Sequence, residues 1–479
     1  MKKRFLSLLL IISMLLMILP AGSVLAQEAQ VTQIPYSQWA QDELIVGDTY
    51  HIYPQSWYTK GMQKPITHGQ LRLLLAGLRV KILKTDRVVE YNEQRYFLDN
   101  NMTVEEVLEF LYILISDYEF EGDIGIKADG NALDYMAENG IFTGKEGELS
   151  KADICTVEQA CVIGTRLITH IYNALDAASK GFLWEIESGE NTVYLLGSVH
   201  LANNDIYPFD NKMLEAFAES DLLGVEVNLL DNTVDRASID AMYGMYTDGT
   251  SLKDYVSDDI YQKTVKVGAA FGLPEEALAQ YKPWALYTSF ANMVNASTTS
   301  TEEASKAALL GIDLKFMMDA YITGKPVIEL ESYEFQIKML DSFSDELEEQ
   351  LLVAVLDAVL SMMQEGQTSS SVSSPIGLIL DYWRSGDIEG FMRDIAPLMV
   401  AAETPEMNEE DKESVKLLEE YYNKIFTERD KGMADKIDGY LKAEGKTTYF
   451  VVVGSGHYVS DYSVIDILEE KGYEINQIK

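Results

Sequence analysis

Apolar positions along this chain change rhythm near residue 181. Before it they recur at helical spacing, in short blocks divided by turns. Tyr36 to Gly47 reads as a short amphipathic helix stopped by its glycine. Thr67 stands as a plausible N-cap ahead of Leu71, Leu73, Leu74, Leu75 and Leu78. Thr103 and Glu106 form a capping box before a helix through Leu114. Ala132 to Gly140 predicts another helix ending at glycine, and Cys155 to Ala160 opens one reaching about Leu175. Residues 36–179 therefore predict a small all-α domain in which a threonine at the mouth of an apolar helix recurs three times, a weak internal repeat.

From Gly181 the pattern alternates. Phe182 to Ile186 and Thr192 to Gly197 predict two strands of a β-hairpin around Ser188-Gly189-Glu190-Asn191. A helix follows Pro208, with Met213, Leu214 and Phe217 on one face. Strands are predicted at 222–227, 326–330 and 448–453, and helical stretches over 251–293, 302–324 and 341–364. Strands at both ends of a largely helical stretch predict an α/β (or α+β) domain over 180–479, with distant segments meeting in one mixed sheet. Two long loops, 295–301 and 364–375, are placed to cover a site.

The first residues change the expected compartment. Lys2, Lys3 and Arg4 precede 15 mostly apolar residues, Phe5 to Leu19, and Val24-Leu25-Ala26 fits a cleavage site. That is a secretory signal peptide over 1–26, too short for the ~20 residues of a membrane span. Residues 27–35 read as a polar tail. The mature chain is expected outside the cell or at its surface, without a transmembrane anchor. Net charge is −39 at pH 7, and −42 once the three basic residues of 1–26 are gone, which argues against nucleic acid or anionic lipid as a partner. The two cysteines, Cys155 and Cys161, lie six apart on one predicted helix and read as buried thiols, not a disulfide.

Chemistry enters with the histidines. Of five in the chain, two share one context: Leu195-Leu196-Gly197-Ser198-Val199-His200 and Val452-Val453-Gly454-Ser455-Gly456-His457. At average glycine usage, two of five histidines with glycine three residues before them is about a one-in-twenty coincidence, and the preceding strands make it rarer. Glycine at a strand end allows a tight turn, which delivers the imidazoles to the carboxyl edge of a sheet, where open α/β sheets keep their sites. Neutral imidazoles there suit a divalent metal ion. Glu226, in an otherwise apolar strand, needs a cation or hydrogen-bond donors to offset its desolvation, and Glu331 follows another strand end. His51, His68 and His170 lack this context.

These residues carry a resemblance. From Gly181 onward the chain resembles the TraB/GumN family, related to TIKI-type metalloproteases. The matching segments are Gly197-Ser198-Val199-His200-Leu201, Val225-Glu226-Val227, Lys282-Pro283-Trp284-Ala285-Leu286, Gly311-Ile312-Asp313, Gly324 to Ser332 with Gln336, Trp383 with Gly386-Asp387, Glu428-Arg429-Asp430 with Met433, and Gly454-Ser455-Gly456-His457. It implies paired Gly-x-x-His motifs and a glutamate forming a metal-dependent hydrolase centre, and an arginine, Arg429, suited to a carboxylate or oxyanion. Two positions depart from the family pattern: Tyr458-Val459-Ser460 follows His457 where Leu-x-Gly is usual, and Arg429-Asp430 replaces Arg-Asn. Residues 36–179 resemble S-layer homology modules, which implies cell-wall polysaccharide as a partner. The arginine usual at those helix mouths is absent in Thr67-His68-Gly69-Gln70 and Thr156-Val157-Glu158-Gln159.

The expectation is an exported metal-dependent hydrolase acting on a peptide or protein. His200, His457 and Glu226 would hold the metal, with Glu226 alternatively the general base, and Arg429 and Glu331 would position substrate at the rim of the cleft. The alternative is a peptide-sequestering surface protein that uses the same cleft without turnover.

Overall fold

A computed structural model describes residues 36–91, 102–127, 130–144, 150–295, 301–365, 375–395, 409–460 and 462–479. The expected signal peptide and polar tail, and nearly all of both expected loops, lie outside these residues. Two compact units emerge: residues 36–179 with Asn204–Asn211, and Lys180–Asn203 with Lys212–Lys479.

In the first unit, Thr67, Thr103 and Thr156 each cap a helix, respectively His68–Leu83, Val104–Ser116 and Val157–Ala174. In all three a capping box is closed by the residue three further on, Gln70, Glu106 or Gln159. The extended residues just before these helices are drawn together, with Pro65 bridged to Thr156 and Thr103 to Ile154. Val157–Ala174 is buried on nearly every side and forms the unit's centre. Cys155 and Cys161 are free, buried thiols. Gly47 does not stop its helix, which runs Gln41–Tyr50. A Cβ there would lie 2.5 Å from Thr165 Oγ1 and 2.7 Å from the Tyr53 hydroxyl, so the glycine serves close packing. A two-stranded antiparallel ribbon, β1 (Val88–Tyr91) and β2 (Tyr118–Phe120), joins these helices.

The second unit is a mixed α/β fold. Its strands are β3 (Phe182–Ser188), β4 (Asn191–Ser198), β5 (Leu222–Val225), β6 (Val327–Glu329), β7 (Thr448–Gly454) and β8 (Ile475–Ile478), in the order β6-β5-β7-β4-β3-β8. β3 and β4 are the expected hairpin. β4, β7, β5 and β6 run parallel. β7 alternates its aromatics to both faces: Tyr449 stacks on Tyr440 of helix Glu428–Leu441, while Phe450 meets Phe217 and Phe316 from helices Asn211–Glu219 and Ile312–Thr323. Helices thus cover both sides of the sheet, which explains the near-continuous burial of β4 and β7.

Candidate active site

Because four neighbouring strands are parallel, their carboxyl ends share one edge. His200 lies two residues past β4, Glu226 one past β5, Glu331 two past β6 and His457 three past β7. The backbone holds these ends in step. Ser455 N donates to Ser198 O at 2.9 Å, and Glu331 N to Glu226 O at 2.8 Å.

Neither glycine before a histidine sits in a turn, and Gly197 acts through space. Gly197 keeps the extended conformation of β4, where a Cβ would sit 2.9 Å from Ser455 Oγ and 3.2 Å from Ser455 Cα. Gly454 also lies within a strand, as the last residue of β7, and His457 rides on the short helix Gly456–Val459. A third glycine, Gly311, lies where a Cβ would come within 2.3 Å of His200 O. That approach seats the N-terminus of helix Ile312–Thr323 on the His200 segment, with Ile312 N donating to Val199 O.

The consequence is a pair of matched hydrogen bonds. His200 Nδ1 lies 2.5 Å from Asp313 Oδ2, and the other oxygen of Asp313 accepts from Ser198 Oγ at 2.5 Å. His457 Nδ1 lies 2.5 Å from Asp430 Oδ1. A carboxylate on Nδ1 fixes ring orientation and turns Nε2 outward. His457 is fully buried, and burial, with the Arg429 charge and His200 adding, pushes it well below its ordinary value. Its imidazole is therefore neutral. Burial lifts Asp430 above the usual carboxylate range. His457 Nε2 has no hydrogen-bond partner and lies 4.0 Å from Glu226 Oε1. The Tyr458 hydroxyl is also buried without a partner, kept neutral by burial and by Glu226 and Asp430.

Glu226 is 2 % exposed and held from three directions. Gly454 N donates to Oε1 at 2.7 Å, while Arg429 Nη2 at 2.5 Å and Gln336 Nε2 at 3.2 Å donate to Oε2. Arg429 also grips Glu331, through Nε at 2.9 and 3.1 Å and Nη2 at 2.8 Å, and Gln336 reaches Glu331 at 2.9 Å. Burial works against the guanidinium charge, but Glu331 and Glu226 outweigh it and raise Arg429 above its ordinary value. Helix Glu428–Leu441 continues from a π-helical turn, Asn423–Thr427, of the kind that recurs at functional sites. Both Arg429 and Asp430 are buried just after it.

Arg429 and Glu331, expected at the rim, are instead 2 % and 9 % exposed and bound to each other. An arginine with two buried carboxylates close by satisfies them before any outside anion. Sequence reasoning gave no role to Asp313, Asp430, Gln336 or Tyr458. The available signal was that Asp430 and Tyr458 stand beside chosen residues and that Gln336 and Asp313 belong to the matching segments.

The donor chemistry fits a divalent cation: two imidazoles oriented by aspartates, an orphaned buried Nε2, and a glutamate oxygen 4.0 Å from it. That separation is at the wide end for one ion bound at about 2.0–2.1 Å by each donor. Among the described residues no group of three or more His, Cys, Asp or Glu side chains is drawn close enough to hold one.

Residues 182–477 match the TraB/PrgY/gumN family, and the chain belongs to it. Among curated relatives, a metalloprotease TIKI homolog of Amphimedon queenslandica is 21 % identical over 327 residues, covering 63 % of this chain and 62 % of that protein. Metalloprotease TIKI1 of Danio rerio is 21 % identical over 316 residues, covering 62 % and 63 %. The uncharacterized protein YbaP of Escherichia coli (strain K12) is 26 % identical over 157 residues, covering 33 % and 54 %. The chain thus spans a little over three fifths of the length of the two TIKI relatives. No solved structure matches it. No helix among the described residues is long and apolar enough to cross a membrane.

Proposed function

We propose that the second unit is a metal-dependent hydrolase acting on peptide bonds. The observation that carries this reading is the neutral, orphaned Nε2 of His457 beside Glu226, in a site where a second histidine is held by its own aspartate in the same way. His200 and His457 would hold the ion, with Glu226 as a further ligand or as the base toward an attacking water. A divalent ion there supplies Lewis-acid polarisation of a carbonyl and a nucleophile at neutral pH. Asp313 and Asp430 fix the imidazoles. Arg429 and Gln336 hold the Glu226 carboxylate in place, and Glu331 holds both of them, in place of the substrate contact expected of Arg429 and Glu331. The names of the TIKI relatives agree with this assignment.

The test is elemental analysis of the purified full chain after incubation with zinc, manganese or cobalt, paired with product analysis on excess peptide. We expect about one ion per chain, lost in both His200→Ala and His457→Ala together with product formation. Failure to retain any of the three metals would reject the proposal. A second reading, a peptide-sequestering protein, is favoured by one observation: both Glu226 oxygens are already engaged by Gly454 and Arg429. Stoichiometric peptide binding without product would select it.

Export of the chain, and wall-polysaccharide binding by residues 36–179, belong to the same proposal. The gathering of three threonine-capped helix mouths supports the second. Cosedimentation of the full chain with purified cell walls tests it.

A further inference from the structure

The second unit contains a cavity of about 320 Å³ that the proposed chemistry does not use. One wall is the segment after helix Arg236–Gly244. It is pinned to residues 280–282 by Tyr246 N donating to Gln280 O and Lys282 N to Gly244 O, both at 2.8 Å. This wall presents Tyr246 and Tyr255 stacked with ring centroids 4.7 Å apart. The lining is otherwise rich in acids: Asp248 on the same segment, and Asp341, Asp345 and Glu348. Lys282 is the cation among the lining residues, and it is committed to Asp341 at 2.6 Å, whose same oxygen also accepts from Trp284 Nε1 at 3.1 Å.

Glu348 is the decisive group. It is only 7 % exposed, yet among the described residues its side chain accepts one hydrogen bond, a long one of 3.4 Å from Trp284 N to Oε2. Oε1 accepts no hydrogen bond from the described residues, while the residue lines the cavity. A nearly buried carboxylate with an unmet oxygen, in one cavity with an aromatic pair, is the chemistry that takes up an organic cation through charge-assisted hydrogen bonds and ring faces.

We propose that this cavity binds the cationic side chain, lysine or arginine, of a peptide. If the hydrolase reading holds, on which this part rests, the cavity is a specificity subsite for basic peptides. Helix Tyr333–Leu340 connects the two places: it carries Gln336, which touches Glu226 and Glu331, and is followed by Asp341 of the cavity. Those residues are about 7.5 Å apart along the helix, a span two or three extended peptide residues cover. Burial pushes Glu348 up to about 8, with Trp284 N and Lys282 opposing and Asp341 and Asp345 reinforcing it. A cationic guest therefore displaces a proton at pH 7.

The experiment is calorimetry on the full chain with a blocked Ala-Lys-Ala tripeptide and its norleucine isostere, repeated in the His457→Ala variant so that the peptide is not consumed. We expect the lysine peptide to bind about tenfold more tightly than the isostere, with proton release shown by heats that differ between buffers of unlike ionisation enthalpy. Glu348→Gln should abolish the preference. Tyr255→Leu, at an exposed ring, should weaken it severalfold without disturbing the fold. Persistence of the preference in His457→Ala supports the subsite even where hydrolysis fails, so the two proposals fall separately. Equal binding of both peptides, or a preference indifferent to Glu348→Gln, would overturn the inference. So would calcium chloride alone binding in a Glu348-dependent way while the lysine peptide does not.

Discussion

Replacing Arg429 by methionine keeps most of the side-chain volume and removes the charge that serves two buried carboxylates. Five hydrogen bonds go: one to Glu226 at 2.5 Å, three to Glu331 at 2.8–3.1 Å, and a long one of 3.4 Å to Ile425 O. What remains is the Gly454 amide on Glu226 and the single Gln336 amide group shared between both acids. Removing one partner of a buried pair costs about 3–5 kcal/mol, because the survivor stays buried and uncompensated. With two survivors the upper end of that range is expected. The sign with pH follows. Burial favours the neutral acid, so the stranded carboxyls hold protons in the folded state that the unfolded chain releases. Stability of the variant relative to wild type then falls further as pH rises from about 5 to 8. Thermal and urea unfolding of the full chain across that range measures both effects. Adding Glu331→Gln removes one stranded charge and should recover roughly 1–3 kcal/mol. A variant within about 0.5 kcal/mol of wild type, or a double variant no better than the single, would refute the idea that Arg429 acts chiefly as an internal counter-ion.

Gly311→Ala should destabilise by about 1–3 kcal/mol and displace His200, since its Cβ would meet His200 O at 2.3 Å; lowered metal retention alongside a lowered melting temperature checks both. Asp430→Asn should weaken metal retention about 10–100-fold while leaving the melting temperature less affected than Arg429→Met; equal metal retention counts against the aspartate–histidine arrangement. Glu348→Gln should raise the melting temperature at pH 8–9 and leave it unchanged near pH 4. Glu348 is raised to about 8 from an ordinary 4.5, so its stability cost grows as pH climbs through that interval, to an upper bound of roughly 5 kcal/mol.

The elements that stand out in the sequence are those whose own residues suffice to specify them. β3 and β4 are an alternating hairpin with its turn, β7 is an unbroken run of β-formers, and the three threonine caps carry their partners three residues on. β8 and the β1–β2 ribbon were not anticipated. They are short, half polar, and exist because a neighbour offers an edge. At the site, His200, Glu226, Glu331 and His457 are legible because each follows a strand, and parallel pairing places strand ends together. Asp313 and Asp430 sit on helices whose facing depends on packing against distant segments. Arg429 was legible as a residue but not in its burial, which is set by the Glu226 and Glu331 carboxylates arriving from 203 and 98 positions away.

The strand order has a consequence for biosynthesis. β7 lies between β4 and β5, so until it arrives the sheet exists as two separate pieces, the β3–β4 hairpin and the β5–β6 pair. A chain growing from its N-terminus cannot join them until residue 454 is made and free to insert. His200 and His457, which follow β4 and β7, therefore reach one sheet edge only after residue 454 is made, and any product lacking β7 lacks the middle of that edge.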